Sequence, residues 1–354
     1  MSTRTNASSS NYEYVTARVR SRRAKLFDED DYRKLIRMGP GEIARFMEES
    51  EYEEAMNALG ARYSGVDLIE NALHRNLANH FDDLLRFAEG PLYDYIARYL
   101  RQFDAWNIKT VMRGLYSEAE REAVETDLIR AGEFSDERID RLLGAESIEA
   151  VVDMLADTLF GEALAEAYGD YEERAVLVPL ENATDRAFYE ALIEDLPAEP
   201  NRPTQLYIDF LEAEIDFRNV ENALRLSRSG ADVDPAEYYI DGGRLFEEEE
   251  EIRGLVSNTD ELVARLREGP YGDDLDAALS ELESAESLLG VERALDRALL
   301  EYSRSLSNRY PLSVCPVFAY VLAKMREVDN VRAIARGKEA GLDPETIEEE
   351  LVMV

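Results

Sequence analysis

Asp104-Ala-Trp-Asn107-Ile108-Lys-Thr-Val111-Met-Arg113 reappears as Asp216-Phe-Arg-Asn219-Val220-Glu-Asn-Ala223-Leu-Arg225, and again as Glu327-Val-Asp-Asn330-Val331-Arg-Ala-Ile334-Ala-Arg336. A second signature keeps the same order. Ile69-Glu70-Asn-Ala72-Leu-His-Arg75 returns as Leu180-Glu181-Asn-Ala183-Thr-Asp-Arg186 and as Val291-Glu292-Arg-Ala294-Leu-Asp-Arg297. The glutamates recur every 111 residues and the asparagines every 111 or 112. Two motifs in one order at one period indicate threefold internal repetition. Solenoid units run about 20–50 residues, so a unit of this length is a domain that can close around an axis.

Helical periodicity dominates. Leu92, Tyr95, Ile96, Tyr99, Leu100 and Phe103 fall at i, i+3, i+4, i+7, i+8 and i+11, which predicts one buried stripe on one helix. Tyr207, Ile208, Leu211 and Ile215, then Phe318, Ala319 and Leu322, are the later counterparts. Ile69, Leu73, Leu77, Phe81 and Leu84 mark a further helix. Period-two alternation is nearly absent, so the fold class is all-α. Asp343-Pro344 and Asp234-Pro235 read as an N-cap followed by a first-turn proline, and Pro91 and Pro203 open the helices leading into the asparagine signature. Leu128-Ile-Arg-Ala-Gly132 corresponds to Tyr239-Ile-Asp-Gly-Gly243, where glycine is expected to release φ for the turn between domains. The division is residues 1–132 (tail plus repeat one), 133–243 (repeat two) and 244–354 (repeat three).

The 354 residues carry 40 Lys and Arg against 76 Asp and Glu, a formal charge of −36. A phosphate binder needs clustered cations to displace counterions, so nucleic acid is excluded as a partner. The only lysines are Lys25, Lys34, Lys109, Lys324 and Lys338. A lysine-poor, acid-rich surface around an ordinary core reads as adaptation to molar salt, where the Debye length falls to about 3 Å. The alternative is an acidic face shaped for a basic partner. Acid runs such as Glu247 to Glu251 are assigned to a solvated helix face. Cys315 stands alone and reads as a small core residue. Met1 to Asn11 reads as a loose tail, not a signal peptide. Val314 to Ala323 falls far short of the roughly 20 apolar residues that span a bilayer, so no transmembrane segment is expected.

The repeated polar positions read as structural. Asn107, Asn219 and Asn330 sit one turn ahead of Val111, Ala223 and Ile334, where a buried amide must find partners. Glu70, Glu181 and Glu292 are expected to pair with Arg113, Arg225 and Arg336, each within its own repeat, or with nearby carbonyls, fixing how two helices cross. Catalysis finds little footing. Gly337-Lys338 lacks the flanking residues of a phosphate cradle. Glu70 and His74 are four apart on one helix, but the counterparts of His74 are Asp185 and Asp296, and only His80 accompanies it. No metal, cofactor or catalytic residue is expected. One cationic exception is Arg18, Arg20, Arg22, Arg23 and Lys25 after Tyr14-Val-Thr-Ala. These either pair internally or meet an acidic partner or anionic headgroups.

Tyr14-Val-Thr-Ala-Arg-Val-Arg-Ser-Arg-Arg-Ala-Lys-Leu26, the Trp106–Arg113 segment and the three all-helical repeats together resemble the C subunit of archaeal and bacterial A/V-type ATP synthases, whose vacuolar counterpart is the d subunit. The resemblance covers nearly the whole chain after about residue 11. It implies a funnel of three helical domains with pseudo-threefold symmetry and a central cavity, peripheral on the cytoplasmic face of the cell membrane. Its implied partners are the proteolipid ring and the central stalk, between which it passes torque as a non-catalytic socket. The serine-rich tail and the extreme acidity depart from the family pattern and put charge-based contacts in doubt. The competing readings are a helical repeat scaffold for an unrelated protein partner and a carboxylate-dependent metal enzyme.

The charge alone generates a prediction. Unscreened, 36 excess negative charges repel, so the melting temperature should rise from dilute buffer to molar KCl. A melting temperature independent of salt would contradict the salt-adaptation reading.

Overall fold

A computed structural model describes residues 10–194, 196–197, 199–229, 238–246, 251–252, 259–272, 276–284 and 288–353. Among these residues every regular element is helical. In chain order they are α1 (Tyr12–Arg23), α2 (Glu29–Leu35), α3 (Pro40–Glu48), α4 (Glu53–Leu59), α5 (Gly65–Phe87), α6 (Pro91–Leu100), α7 (Gln102–Tyr116), α8 (Arg121–Thr126) and α9 (Asp136–Leu143). There follow α10 (Ile148–Met154), α11 (Gly161–Arg174), α12 (Val178–Ile193), α13 (Arg202–Ser229), α14 (Thr259–Glu268), α15 (Asp276–Ser284), α16 (Leu288–Arg309), α17 (Cys315–Glu339) and α18 (Pro344–Glu350). The chain forms two compact units, Met1–Val15 with Tyr52–Glu194 and Thr16–Glu51 with Asp195–Val354. Compaction thus follows a different division from the sequence repeats.

In the first unit, Ile69, Leu73, Leu77, Phe81 and Leu84 of α5 are all buried, as their spacing predicts. The Leu92-to-Phe103 stripe is buried too, apart from half-buried Tyr95, but it does not lie on one helix. A tight turn at Arg101 separates α6 from α7, where the Arg101 N–H bonds to Arg98 O and the Gln102 amide donates to Tyr99 O. That side-chain bond to a backbone carbonyl competes with the regular ladder. α7 packs on α9, α10 and α12, so the signature helix of repeat one rests on elements of repeat two. Ser135 caps α9 and Ser147 caps α10. Ser10 and Asn11 are not part of a loose tail: Asn11 donates to Phe87 O and accepts from Glu89 N–H, and Ser10 accepts from Leu92 N–H. They fill the hydrogen-bonding needs of the corner between α5 and α6.

In the second unit, α17 packs on α16, α18 and α13, and also on α2 and α3 from the beginning of the chain. Phe318 is fully buried and stacks on Phe210 at 4.8 Å between centroids. Ile208 and Leu322 are half-buried, while Leu206 and Phe210, absent from the expected stripe, are in the core. Asp343 caps α18 ahead of Pro344, as expected. Asp234-Pro235 lies outside the described residues, as do positions 247–250 of the acid run, whereas Glu251 is exposed and pairs with Arg265 at 2.6 Å. Cys315 is buried, and burial raises its thiol pKa.

Candidate functional site

Each repeated asparagine performs one identical task. The Asn107 amide donates to Ile129 O at 2.8 Å and accepts from Ile129 N–H at 2.8 Å. Asn219 does the same to Ile240, at 2.8 and 2.8 Å, and Asn330 to Val352, at 2.8 and 3.0 Å. Ile129, Ile240 and Val352 sit in non-helical backbone with buried side chains. Buried backbone there has no helical partner, and a primary amide offers one donor and one acceptor in the required register.

One turn before each asparagine stands an acid that sequence reasoning passed over. Asp104 accepts from Glu133 N–H at 2.8 Å and from Phe134 N–H at 3.0 Å. Asp216 accepts from Arg244 N–H at 2.8 Å, Leu245 N–H at 3.0 Å and the Tyr271 hydroxyl at 2.5 Å. Glu327 accepts from Phe27 N–H at 2.5 Å and from Lys324 Nζ at 2.8 Å, with Lys324 wholly buried. Phe134 precedes Ser135, the cap of α9, and Phe27 precedes Asp28, the cap of α2. The acid of repeat three therefore seats the opening of repeat one as the acid of repeat one seats the opening of repeat two. The available signal was the acid heading all three copies.

These carboxylates explain the boundary glycines. Gly132 and Gly243 have no positive φ; among glycines that conformation belongs to Gly65, Gly90, Gly242 and Gly341. A Cβ at Gly132 would stand 2.1 Å from Asp104 Oδ1, and one at Gly243 would stand 2.1 Å from Asp216 Oδ1. Close approach of a carboxylate, not release of φ, requires glycine at both sites.

The remaining charged positions link successive repeats. Arg113 Nε lies 2.5 Å from Glu181 Oε1, so its partner is the glutamate of the next repeat and not Glu70. The reason is packing, since α7 lies on α12. Lys109 pairs with Asp185 on the same two helices. In the second unit Glu221 occupies the place of Lys109, and Asp296 is paired instead by Arg326 at 2.6 Å. Glu70 is fully buried, whereas Glu181 and Glu292 are half-buried. Arg336 pairs with Glu339 at 3.1 Å, and the side chain of Arg225 lies outside the described residues. His74 Nδ1 is 2.9 Å from Thr126 O, a backbone bond that fixes its proton on Nδ1. Among the described residues no group of three or more His, Cys, Asp or Glu could hold a metal ion. Arg18 and Arg20 are exposed, Arg22 and Arg23 half-buried, and Lys25 pairs with Glu51 at 2.8 Å.

The family described as ATP synthase (C/AC39) subunit matches residues 15–350. The chain belongs to that family. Similar proteins include the C subunit of the A-type ATP synthase of Haloferax volcanii, 64% identical over 345 residues covering 98% of both chains. That of Halobacterium salinarum is 58% identical over 346 residues, 97% of this chain and 98% of the relative. That of Methanococcoides burtonii is 37% identical over 347 residues, 98% and 95% of the two chains. The chain is thus an ATP synthase subunit of the C/AC39 family, and its nearness to haloarchaeal sequences makes the acid excess that of a halophile. No described helix is long and apolar enough to cross a membrane.

The clamps generate two predictions. Asn107→Ala removes two buried bonds and strands a backbone N–H and C=O, so it should cost about 2–4 kcal/mol in denaturant melts. Gly132→Ala should cost about 1–3 kcal/mol, while Gly169→Ala, with nothing within 4 Å of the new Cβ, should stabilise slightly. Equal effects of the two glycine changes would remove the carboxylate explanation.

The second prediction concerns pH. Burial pushes the Asp104 carboxyl up from 3.8 to about 6, against the two N–H donors that lower it. The folded state therefore keeps a proton that the unfolded chain has released. The resulting stability is complete below about pH 4 and is lost as pH rises through about 6, amounting to about 2–3 kcal/mol. Asp104→Asn, which does not titrate, should flatten that part of the stability curve in molar KCl. Parallel curves for the two proteins would show that Asp104 contributes nothing there.

Proposed function

We propose that this subunit is a non-catalytic socket, peripheral to the cytoplasmic face of the membrane, which receives the central stalk on one side and the proteolipid ring on the other. Ion flow would turn the ring, and the socket would pass that torque to the stalk so that ATP is made elsewhere in the complex. The observation that carries this reading is the thrice-used pair of carboxylate and amide clamps. They hold backbone that a torsional load would otherwise peel away, and they involve no reacting group. Close-packed helical interiors have low compressibility, as a torque-bearing element requires. Membership of the C/AC39 family over residues 15–350 supports the same assignment.

The division into three domains about an axis belongs to this proposal. Its support is that α2 and α3 pack on α17 in the second unit as α9 and α10 pack on α7 in the first. In a cyclic arrangement each repeat's signature helix carries the opening helices of the next. The structural roles given to Glu70, Glu181, Glu292 and the three arginines are part of the same framework.

The test is a tagged pull-down from native membranes solubilised gently in molar salt, with co-purifying proteins identified by mass spectrometry. Central-stalk and proteolipid subunits should appear in fixed ratio. Recovery of neither, from membranes retaining an intact ATP synthase, would favour a scaffold for another partner.

A further inference from the structure

The two longest stretches without Asp or Glu are Tyr302 to Arg326, 25 residues, and Tyr14 to Phe27, 14 residues. In a chain with 76 acids these stretches are unusual, and in the second unit they meet. Arg23 on α1 is half-buried, and its pKa is lowered by burial and by the neighbouring charge of Arg304 on α16. Arg22 acts electrostatically on Tyr320 and Lys324 of α17, which places this end of α1 over the long acid-free segment. Arg20 and Arg304 are exposed. Among the described residues none of Arg20, Arg23 and Arg304 forms an ion pair, although Lys25 nearby takes Glu51. The loop after α16 carries Leu312, which is 60% exposed.

Two like-charged guanidiniums side by side, one partly desolvated, are destabilising unless an anion comes between them. The fold supplies none from its own acid-rich surface. We propose that the face formed by Arg20, Arg23 and Arg304 docks a carboxylate-bearing segment of another subunit of the same ATP synthase. This inference needs only that the chain is an ATP synthase subunit, not that it is the socket.

Salt selects a protein occupant over a lipid surface. Polybasic attraction to anionic lipid is diffuse, uses clusters of about 4–8 cations and fades beyond a Debye length. In molar salt that length is about 3 Å, and a net charge of −36 opposes approach to an anionic bilayer. Guanidinium forks pair with fixed carboxylates in contact geometry, which such salt screens least. The same screening lets an acidic partner approach an acidic subunit, leaving the arginine contacts to set the register.

The experiment uses the whole complex. Arg23→Lys and Arg304→Lys variants are produced in a haloarchaeal host, and the ATP synthase is treated with a water-soluble carbodiimide, which condenses an amine with an adjacent carboxylate. Peptide mass spectrometry should find position 23 or 304 joined to an Asp or Glu of a different polypeptide. The Lys109 link to Asp185 within the chain is the positive control. Detection of that control without any intersubunit product at either position would overturn the proposal.

A second arm uses the Arg20→Glu/Arg23→Glu/Arg304→Glu variant, whose fold is checked by its melting curve. Its retention in the purified complex should fall about tenfold or more, and retention at the wild-type level would overturn the proposal. Sedimentation with phosphatidylglycerol/phosphatidylcholine vesicles in molar KCl reads the lipid alternative. Vesicle binding that the triple variant loses, with assembly intact, would assign the face to lipid instead.

Discussion

A backbone that leaves its helix inside a protein must still find partners for every N–H and C=O, because each one stranded away from water costs about 1–3 kcal/mol. This chain meets that constraint with one side chain used three times. Asn107, Asn219 and Asn330 each present an amide to both backbone groups of a single residue 21 or 22 positions later. The extended segment after each signature helix can therefore run through apolar surroundings without a sheet. The carboxylate one turn earlier holds the next stretch of backbone, so both clamps project from the same helix. Where one goes the other follows, and the exit from one repeat and the entry to another move as a single body.

That coupling explains why the compact units ignore the sequence repeats. Glu327 grips Phe27 from 300 residues away, and Tyr32 lies against Glu327 and Asn330 with its hydroxyl pKa raised by burial and by the glutamate. The opening helices of the chain belong energetically with its closing helices. Buried Lys324 adds a partner to Glu327, and burial lowers the lysine pKa while the carboxylate opposes that fall. A buried pair of this kind is weak evidence for net stability but costs about 3–5 kcal/mol to break from one side. It therefore penalises separation of the first helices from α17.

The all-α class, the threefold repeat and the identities of the clamp asparagines were legible because periodicity and self-similarity are properties of a single sequence. Partners were not. Arg113 reaches Glu181 instead of Glu70 because α7 lies on the following repeat's helix, a packing fact that no spacing encodes. The glycines at 132 and 243 were visible as glycines, but their cause is a carboxylate 28 or 27 positions upstream that comes too close for a Cβ. Asp104, Asp216 and Glu327 headed every copy of the motif and were overlooked because acids are everywhere in this composition. An acid is informative here only against its internal counterparts.

The same composition changes what counts as a signal elsewhere. On an ordinary surface three exposed or half-exposed arginines carry little meaning, since such cations usually find acids and surface ion pairs contribute about 0–1 kcal/mol. On a surface with nearly two acids for each base, cations without a pair mark places from which acids are excluded. Arg113, Arg130, Arg138 and Arg293 are all paired, which shows how readily this chain neutralises a guanidinium. The meeting of Arg23 and Arg304 without a carboxylate is therefore not explained by supply. Screening in molar salt weakens the cost of that juxtaposition without abolishing it at contact distance, so the arrangement keeps a residual preference for an anion with fixed geometry. The framework of clamps holds α16, α17 and the first helices stiffly together, and it is that stiffness which makes the cationic face a defined shape.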